Sequence, residues 1–232
     1  MLLQALIFDI DGTLVDTNPS HVQAWRRAFE RLGYDIPPER IRVEIGKGGD
    51  LLVPAILGEK AERRDGEALR KAQKEEFLKI AGRVRFGVFP SVRELFKALD
   101  ERGIQTALAT SSDQKHLEAT MRSAGIDLIS LADVLATRDD AEASKPAPDL
   151  LLVALERLDL SPAACAVVGD TVYDGQASRA AGIAFLGLLS GCSTESELLE
   201  AGACGVWRDT GHLYAELDRA LEIASLAAAA SH

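Results

Sequence analysis

Apolar residues along this chain recur with two different periods, and the switch between them marks out its parts. Leu6-Ile7-Phe8 is an unbroken apolar run, as expected of a strand covered on both faces, and it ends in Asp9-Ile10-Asp11-Gly12-Thr13. After Thr17 the period changes. Val22, Trp25, Ala28, Phe29 and Leu32 recur at steps of three and four until Gly33, which predicts a helix and its stop. Pro37-Pro38 then breaks the chain, a short helix runs through Ile41 and Val43, and Gly46-Lys47-Gly48-Gly49-Asp50 precedes a helical piece over 51–57. Residues 58–85 are dominated by Glu, Lys, Arg and Ala, with Ala68, Ala72, Phe77 and Ile80 as a thin apolar stripe. That pattern predicts a mostly solvated helix packed on one side.

Strand–helix alternation then resumes. Ser91 and Glu94 have capping-box spacing and open a helix that Gly103 closes. A strand is predicted over 104–110, a helix over about 113–124 ending at Gly125, and a short strand over 133–137. Pro146 and Pro148 introduce a helix carrying Leu150, Leu151, Val153, Ala154 and Leu158, with proline suited to the first turn. A strand over 165–168 ends at Gly169-Asp170, a helix passes through 177–181, and a further strand covers 183–188. Thr194 and Glu197 cap another helix, 204–207 forms an edge strand, and one last helix spans 214–228, with the Ala-rich end from Ala227 to His232 frayed. The sum is an α/β fold, a Rossmann-like parallel sheet with helices on both faces, built from 1–17 and 86–232 and interrupted once by an all-helical insertion over 18–85.

Composition narrows the function. A chain of 232 residues with 47% hydrophobic and 27% charged residues suits one large domain or a domain with another inserted in it. A net charge of −10 argues against nucleic acid as partner, because that footprint needs clustered Lys and Arg. It also means that an anionic substrate must be drawn by a local site and not by the overall field. No apolar stretch reaches membrane-spanning length, and Met1-Leu2-Leu3-Gln4-Ala5 leads into the first strand without a charged signal region. Cys165, Cys192 and Cys204 are odd in number and scattered, which reads as reduced thiols in a cytoplasmic protein.

The polar residues of interest stand where predicted strands end. Asp9 and Asp11 are two apart, so in a strand they would share a face. Two such carboxylates repel each other unless a cation lies between them. A hard divalent ion such as Mg²⁺ fits, since it keeps water and binds through one or two carboxylates plus phosphate. The next strand ends in Thr110-Ser111-Ser112, Lys145 precedes a helix, and Asp170 and Asp174 follow a third strand. Carboxylates, hydroxyls and one ammonium at a common sheet edge suit phosphoryl transfer, in which catalysis is largely positioning and charge neutralisation.

Taken in order, Asp9-Ile10-Asp11-Gly12-Thr13, Thr110, Lys145-Pro146 and Gly169-Asp170-Thr171-Val172-Tyr173-Asp174 resemble the four motifs of the haloacid dehalogenase-like hydrolase superfamily. The helical insertion resembles the cap of its phosphoglycolate phosphatase and β-phosphoglucomutase-like branch. The resemblance implies Asp9 as a nucleophile forming an aspartyl-phosphate and Asp11 as acid for the leaving alcohol, then base for water. It implies Mg²⁺ held by a carboxylate oxygen of Asp9, the backbone carbonyl of Asp11, Asp170, and Asp174 directly or through water. Thr110 would hydrogen-bond the phosphoryl group, Lys145 would neutralise it, and the Lys145-Pro146 bond would often be cis in such proteins. Ser111 is a substrate-binding candidate through its backbone N–H. His21 matches a histidine at the start of the cap, and Trp25, Arg42 and Lys47 are cap candidates for the leaving group. Serine at Ser91 stands where relatives commonly have glycine.

These features predict a Mg²⁺-dependent phosphatase acting on a small phosphorylated metabolite, as a monomer or homodimer. A β-phosphoglucomutase-like mutase is the alternative, disfavoured because Gly46-Lys47-Gly48-Gly49-Asp50 lacks the arginine with which such a mutase grips its distal phosphate. Asp11 argues against a dehalogenase. A complete set of nucleophile, acid, lysine and metal carboxylates argues against a non-catalytic binding module.

Overall fold

The computed structural model describes residues 3–230. Strand β1 (Ala5–Phe8) lies inside a six-stranded sheet, flanked by β4 (Gln105–Ala109) and β6 (Cys165–Gly169). Beyond β4 lies β5 (Val134–Ala136), and beyond β6 lie β7 (Ala184–Leu188) and then β8 (Ala203–Trp207) at the far edge. Every pairing in this sheet is parallel. The reason for the apolar run in β1 is visible in its two faces. Leu6 and Phe8 pack into one layer with α5 (Val92–Asp100) and α11 (Leu217–Ala230), while Ala5 and Ile7 pack into the other with α7 (Asp149–Leu158). The α/β class read from the alternation is the observed one.

The order of strands reverses at β1, since the chain builds β4 and β5 to one side and β6 to β8 to the other. Such a switch point leaves a crevice beyond the carboxyl ends of the strands, where helices diverge to opposite faces. Asp9, Thr110 and Asp170 each stand one residue past a strand that borders it.

A second, two-stranded ribbon pairs β2 (Val15–Asp16) antiparallel to β3 (Gly87–Val88). Between them run α1 (Asn18–Arg31), α2 (Pro38–Arg42), α3 (Gly49–Leu57) and α4 (Glu59–Ala81). These four helices enclose their own apolar cluster, with Trp25, Phe29, Ile41, Leu52, Val53 and Leu69 among its members. The far end of α4 leaves that cluster, and Phe77 and Ile80 belong instead to the layer against the sheet.

Four details differ from the pattern-based reading. The buried face of α4 runs through Gly66, Leu69, Ala72, Gln73, Phe77 and Ile80, whereas Ala68 is exposed. Counting back from Phe77 in helical steps reaches 73, 69 and 66, so Ala68 falls off the face. Ser91 makes no capping hydrogen bond, because it sits in left-handed backbone at φ 60°. That conformation favours glycine and accounts for the residue type common at this turn. The last helix is two: α10 (Thr210–Ala215), capped by Asp209 accepting from His212 N–H, and α11. The break falls at Glu216, whose carboxylate accepts from Trp207 Nε1 at 3.1 Å. Helix α11 continues to Ala230, so the expected fraying at 227 is not seen; residues 231–232, like Met1 and Leu2, lie outside the described residues.

No helix among the described residues is long and apolar enough to cross a membrane. The three cysteines are free, and burial pushes the Cys165 thiol up to about 11, which leaves it unreactive at neutral pH.

Candidate active site

Chain geometry at the end of β1 creates the floor of the site. The Asp9 N–H continues the ladder by donating to Val168 O at 3.0 Å, and the chain then turns at Gly12 with φ +86°. A Cβ at Gly12 would stand 2.3 Å from Asn18 Nδ2 and 2.4 Å from Asp170 Oδ2, so only glycine lets the turn pass this close. The hydroxyl of Thr13 donates to Asp170 Oδ1 at 2.8 Å and the Asn18 amide donates to Oδ2 at 3.1 Å. Asp174, the third residue of α8 (Val172–Ala181), accepts from the Thr171 N–H in a capping box, which orients it inward.

Lys145 lies among these carboxylates, 4% exposed, with Nζ 2.6 Å from Asp9 Oδ1 and 2.8 Å from Asp174 Oδ1. It also donates to Ala109 O at 3.3 Å, and the Lys145-Pro146 bond is cis. Carboxylate oxygens of Asp9, Asp170 and Asp174 all lie within 4.8 Å of one another. Burial first, then Asp174 and Asp11, pushes Asp9 up to about 7 although Lys145 opposes the shift. Burial together with Asp9 and Asp174 drives Asp170 up as well. Burial alone would lower Lys145, but Asp174 and Asp9 reverse this and hold it above its ordinary range. Fully ionised, the three carboxylates against one ammonium would carry a net charge of −2 in a buried place, which is why burial and mutual repulsion raise Asp9 and Asp170. A hard divalent cation cancels that charge and accepts this all-oxygen donor set, so the residues fit Mg²⁺.

Asp11 is treated differently by its surroundings. Burial raises its carboxyl, yet hydrogen bonds and charge from His21, with Thr17 and Ser112, outweigh this and hold it well below the ordinary range. Thr17 Oγ1 donates to Oδ1 at 2.7 Å, Ser112 Oγ to Oδ2 at 3.0 Å, and His21 Nε2 lies 3.3 Å from Oδ1. His21 is stacked on Phe77 with ring centroids 4.2 Å apart. The side chain of Asp11 therefore stands outside the three-carboxylate group. Thr110 is fully buried and is not brought to the cavity surface; its Oγ1 accepts from Ser112 N–H at 3.0 Å and is 3.5 Å from Asp11 Oδ2. Ser111 and Ser112 line the cavity.

The cavity above this floor has a volume of about 320 Å³. Its roof comes from the helical segment: His21 and Trp25 of α1, Lys47 in the glycine-rich turn, and Arg70, Gln73 and Lys74 of α4. The turn is pressed against the sheet's loops, since Asp50 Oδ1 accepts from Ser144 Oγ at 2.8 Å and a Cβ at Gly48 would stand 2.2 Å from that hydroxyl. Lys47 pairs with Glu44 and lies 5.0 Å from the Tyr173 ring. Arg42 does not line the cavity: it is exposed, with Nε 3.3 Å from Cys192 Sγ. Sequence reasoning missed Arg70 and Gln73. The available signals were a glycine inside the α4 pattern and a polar residue on its buried face.

Residues 3–182 match the haloacid dehalogenase-like hydrolase family. A phosphorylated carbohydrates phosphatase of Thermotoga maritima is 34% identical over 203 residues, 87% of this chain and 92% of that one. A phosphoglycolate phosphatase of Nitrosospira multiformis is 33% identical over 184 residues, covering 78% and 80%. Among solved structures, a hydrolase from Pseudomonas syringae superposes with a TM-score of 0.85 at 29% identity, covering 93% of this chain and 98% of its own.

Proposed function

This chain belongs to the haloacid dehalogenase-like hydrolases, and on that footing we propose that it is a Mg²⁺-dependent phosphatase releasing phosphate from a small phosphorylated metabolite. The observation that carries the reading is Lys145 held between Asp9 and Asp174, with Asp170 alongside. That arrangement holds a fixed, buried positive charge against the Asp9 carboxylate.

In the proposed reaction a carboxylate oxygen of Asp9 attacks phosphorus and forms an aspartyl-phosphate as the bond to the leaving oxygen breaks. Asp11 supplies the leaving oxygen with a proton, then accepts one from the water that hydrolyses the intermediate. The hydrogen bonds from Thr17 and Ser112, with His21 beside them, hold Asp11 ionised, ready for the second role. The first role needs Asp11 protonated and turned from Thr17 toward the leaving oxygen. Lys145 keeps Asp9 aimed and balances charge on the phosphoryl oxygens. Ser111 and Ser112 face those oxygens, and Thr110 supports their loop from behind. Asp9, Asp170 and Asp174, with the backbone carbonyl of Asp11, would hold Mg²⁺, which supplies charge neutralisation at the phosphoryl group. Residues 18–85 act as a cap that excludes bulk water and presents its side chains to the leaving group.

The test is release of inorganic phosphate from p-nitrophenyl phosphate and a panel of phosphorylated metabolites. Release is expected with Mg²⁺, lost on chelation, and reduced by several orders of magnitude in Asp9→Asn. Turnover by Asp9→Asn at the wild-type rate would remove Asp9 as nucleophile.

A further inference from the structure

The roof carries three cations, and each is already matched by a carboxylate. Lys47 pairs with Glu44, Lys74 Nζ lies 2.7 Å from Asp113 Oδ2, and Arg70 Nη1 lies 2.7 Å from Glu62 Oε1. Arg138, a further cation on the wall, is turned onto the carbonyl oxygens of Ala141 and Glu142. On the floor, Lys145 serves Asp9 and Asp174. When a divalent cation and a phosphoryl dianion enter together, their charges cancel, so the cavity gains no surplus positive charge with which to hold another anion.

The Arg70 pairing is specifically built. Glu62 and Arg70 are eight residues apart on α4, more than two turns, and the carboxylate reaches across by lying on Gly66. A Cβ at Gly66 would stand 2.3 Å from Glu62 Oε2 and 2.5 Å from its Cδ. Glycine inside a helix is unfavourable relative to alanine, and here it clears the path for this one side chain. Arg70 Nη1 is further anchored 3.5 Å from Gly49 O, while Nε and Nη2 make no hydrogen bond to a described residue. Beside it on the same face Gln73 is 8% exposed, lines the cavity, and its amide also makes no hydrogen bond to a described residue. An amide both donates and accepts, as does a hydroxyl. A carboxylate or phosphate accepts only, and would leave the amide oxygen without a partner from the substrate.

We propose that Glu62, seated across Gly66 against Arg70 and beside Gln73, is a specificity determinant that makes the roof select neutral, hydroxyl-bearing leaving groups over those carrying a carboxylate or a second phosphate. The inference rests on the phosphatase reading above and extends it to the substrate class. Arg70 then acts as a hydrogen-bond donor with its charge offset, and Gln73 supplies the matching acceptor and donor. Distal phosphate binding of the kind a bisphosphate-primed mutase requires has no uncommitted cation here.

The experiment compares two esters of similar size in the Mg²⁺-loaded full chain: glycerol 3-phosphate, with a neutral polyol, and phosphoglycolate, with a carboxylate. Wild-type kcat/KM is expected to favour glycerol 3-phosphate by about tenfold or more, the scale of one hydrogen bond to a charged group. Glu62→Gln frees the Arg70 charge while keeping the shape, and should lower that preference by about tenfold. Gly66→Ala should displace the flexible Glu62 carboxylate and shift the preference the same way, without lowering the melting temperature, since alanine favours the helix. A wild type that prefers phosphoglycolate, or a preference unmoved in folded Glu62→Gln, overturns the proposal. Hydrolysis of p-nitrophenyl phosphate, abolished in Asp9→Asn, separates the two levels. If that activity is present and the preference flat, only the specificity proposal falls; if it is absent, both fall.

Discussion

At the residue scale, the floor works because several side chains hold others in place. Asn18 is the clearest case outside the family motifs. It is buried at the first turn of α1, and its amide fixes Asp170 Oδ2, while Thr13 fixes Oδ1. Partners that orient metal ligands commonly change affinity by about 10–100-fold when removed. Asn18→Ala should therefore weaken Mg²⁺ binding by that order, read as a higher Mg²⁺ concentration needed to raise the melting temperature. An unchanged Mg²⁺ midpoint would show that Thr13 alone suffices. The same scale shows what the linear pattern discloses. Asp9, Lys145, Asp170 and Asp174 are legible because each follows a strand or precedes a helix at a fixed offset. Thr110 is legible as a position but not as an orientation. Its hydroxyl turns inward to the N–H of Ser112, two residues on, and to Asp11, which is distant in sequence.

At the scale of elements, turns and helices lock the sheet's loops. Asp140 closes a capping box with Thr137 just after β5 and also pairs with Arg157 of α7. The Arg157 hydrogen bond, then Thr137, lowers the Asp140 carboxyl to about 2 from its ordinary 3.8. A group depressed in the folded state contributes stability above its unfolded pKa and loses it as pH falls through the folded one. Asp140→Asn should thus lower the melting temperature at pH 6, with the difference from wild type fading as pH falls from about 4 to 2. A difference independent of pH would assign the effect to the loop's shape and not to its charge. Elements also explain where the sequence reading succeeded and failed. Period, the Pro37-Pro38 break and composition together located the helices of the insertion, each of which buries one face, although Val43 lies past the end of α2 and is exposed. On α4 the expected stripe holds at Ala72, Phe77 and Ile80 and fails at Ala68, since Ala68 and Leu69 are both apolar and packing against α1 and α3 puts Leu69 inside. Arg70 and Gln73 went unseen for the same reason: their meaning depends on which way that helix faces.

At the scale of the whole molecule, two bodies of packing meet over one cavity through few polar contacts. Asn18 and His21 reach Asp170 and Asp11 directly, and Asp50 accepts from Ser144, which adjoins Lys145. If closure of the roof sets the position of Lys145, Asp50→Ala and Ser144→Ala should each lower kcat/KM. Their effects should be non-additive by about 0.5–1.5 kcal/mol, the worth of one hydrogen bond. Strict additivity would mean that the contact does not couple the roof to the lysine. The net charge of −10 fits this arrangement, since attraction for a phosphate ester is supplied locally and disappears a short distance from the cavity.

The ribbon of β2 and β3 has one more consequence. The chain departs at Val15–Asp16 and comes back at Gly87–Val88, and these residues are direct partners, Val15 with Val88 and Asp16 with Gly87. Everything between them is a loop whose two ends are already tied together. Beyond the start of α1, where Thr17, Asn18 and His21 reach Asp11 and Asp170, its contents can lengthen, shorten or be exchanged over evolutionary time without moving a strand of the sheet. Inheritance of the reaction and invention of its substrate are thereby separated along one continuous chain, with the seam only two residues wide.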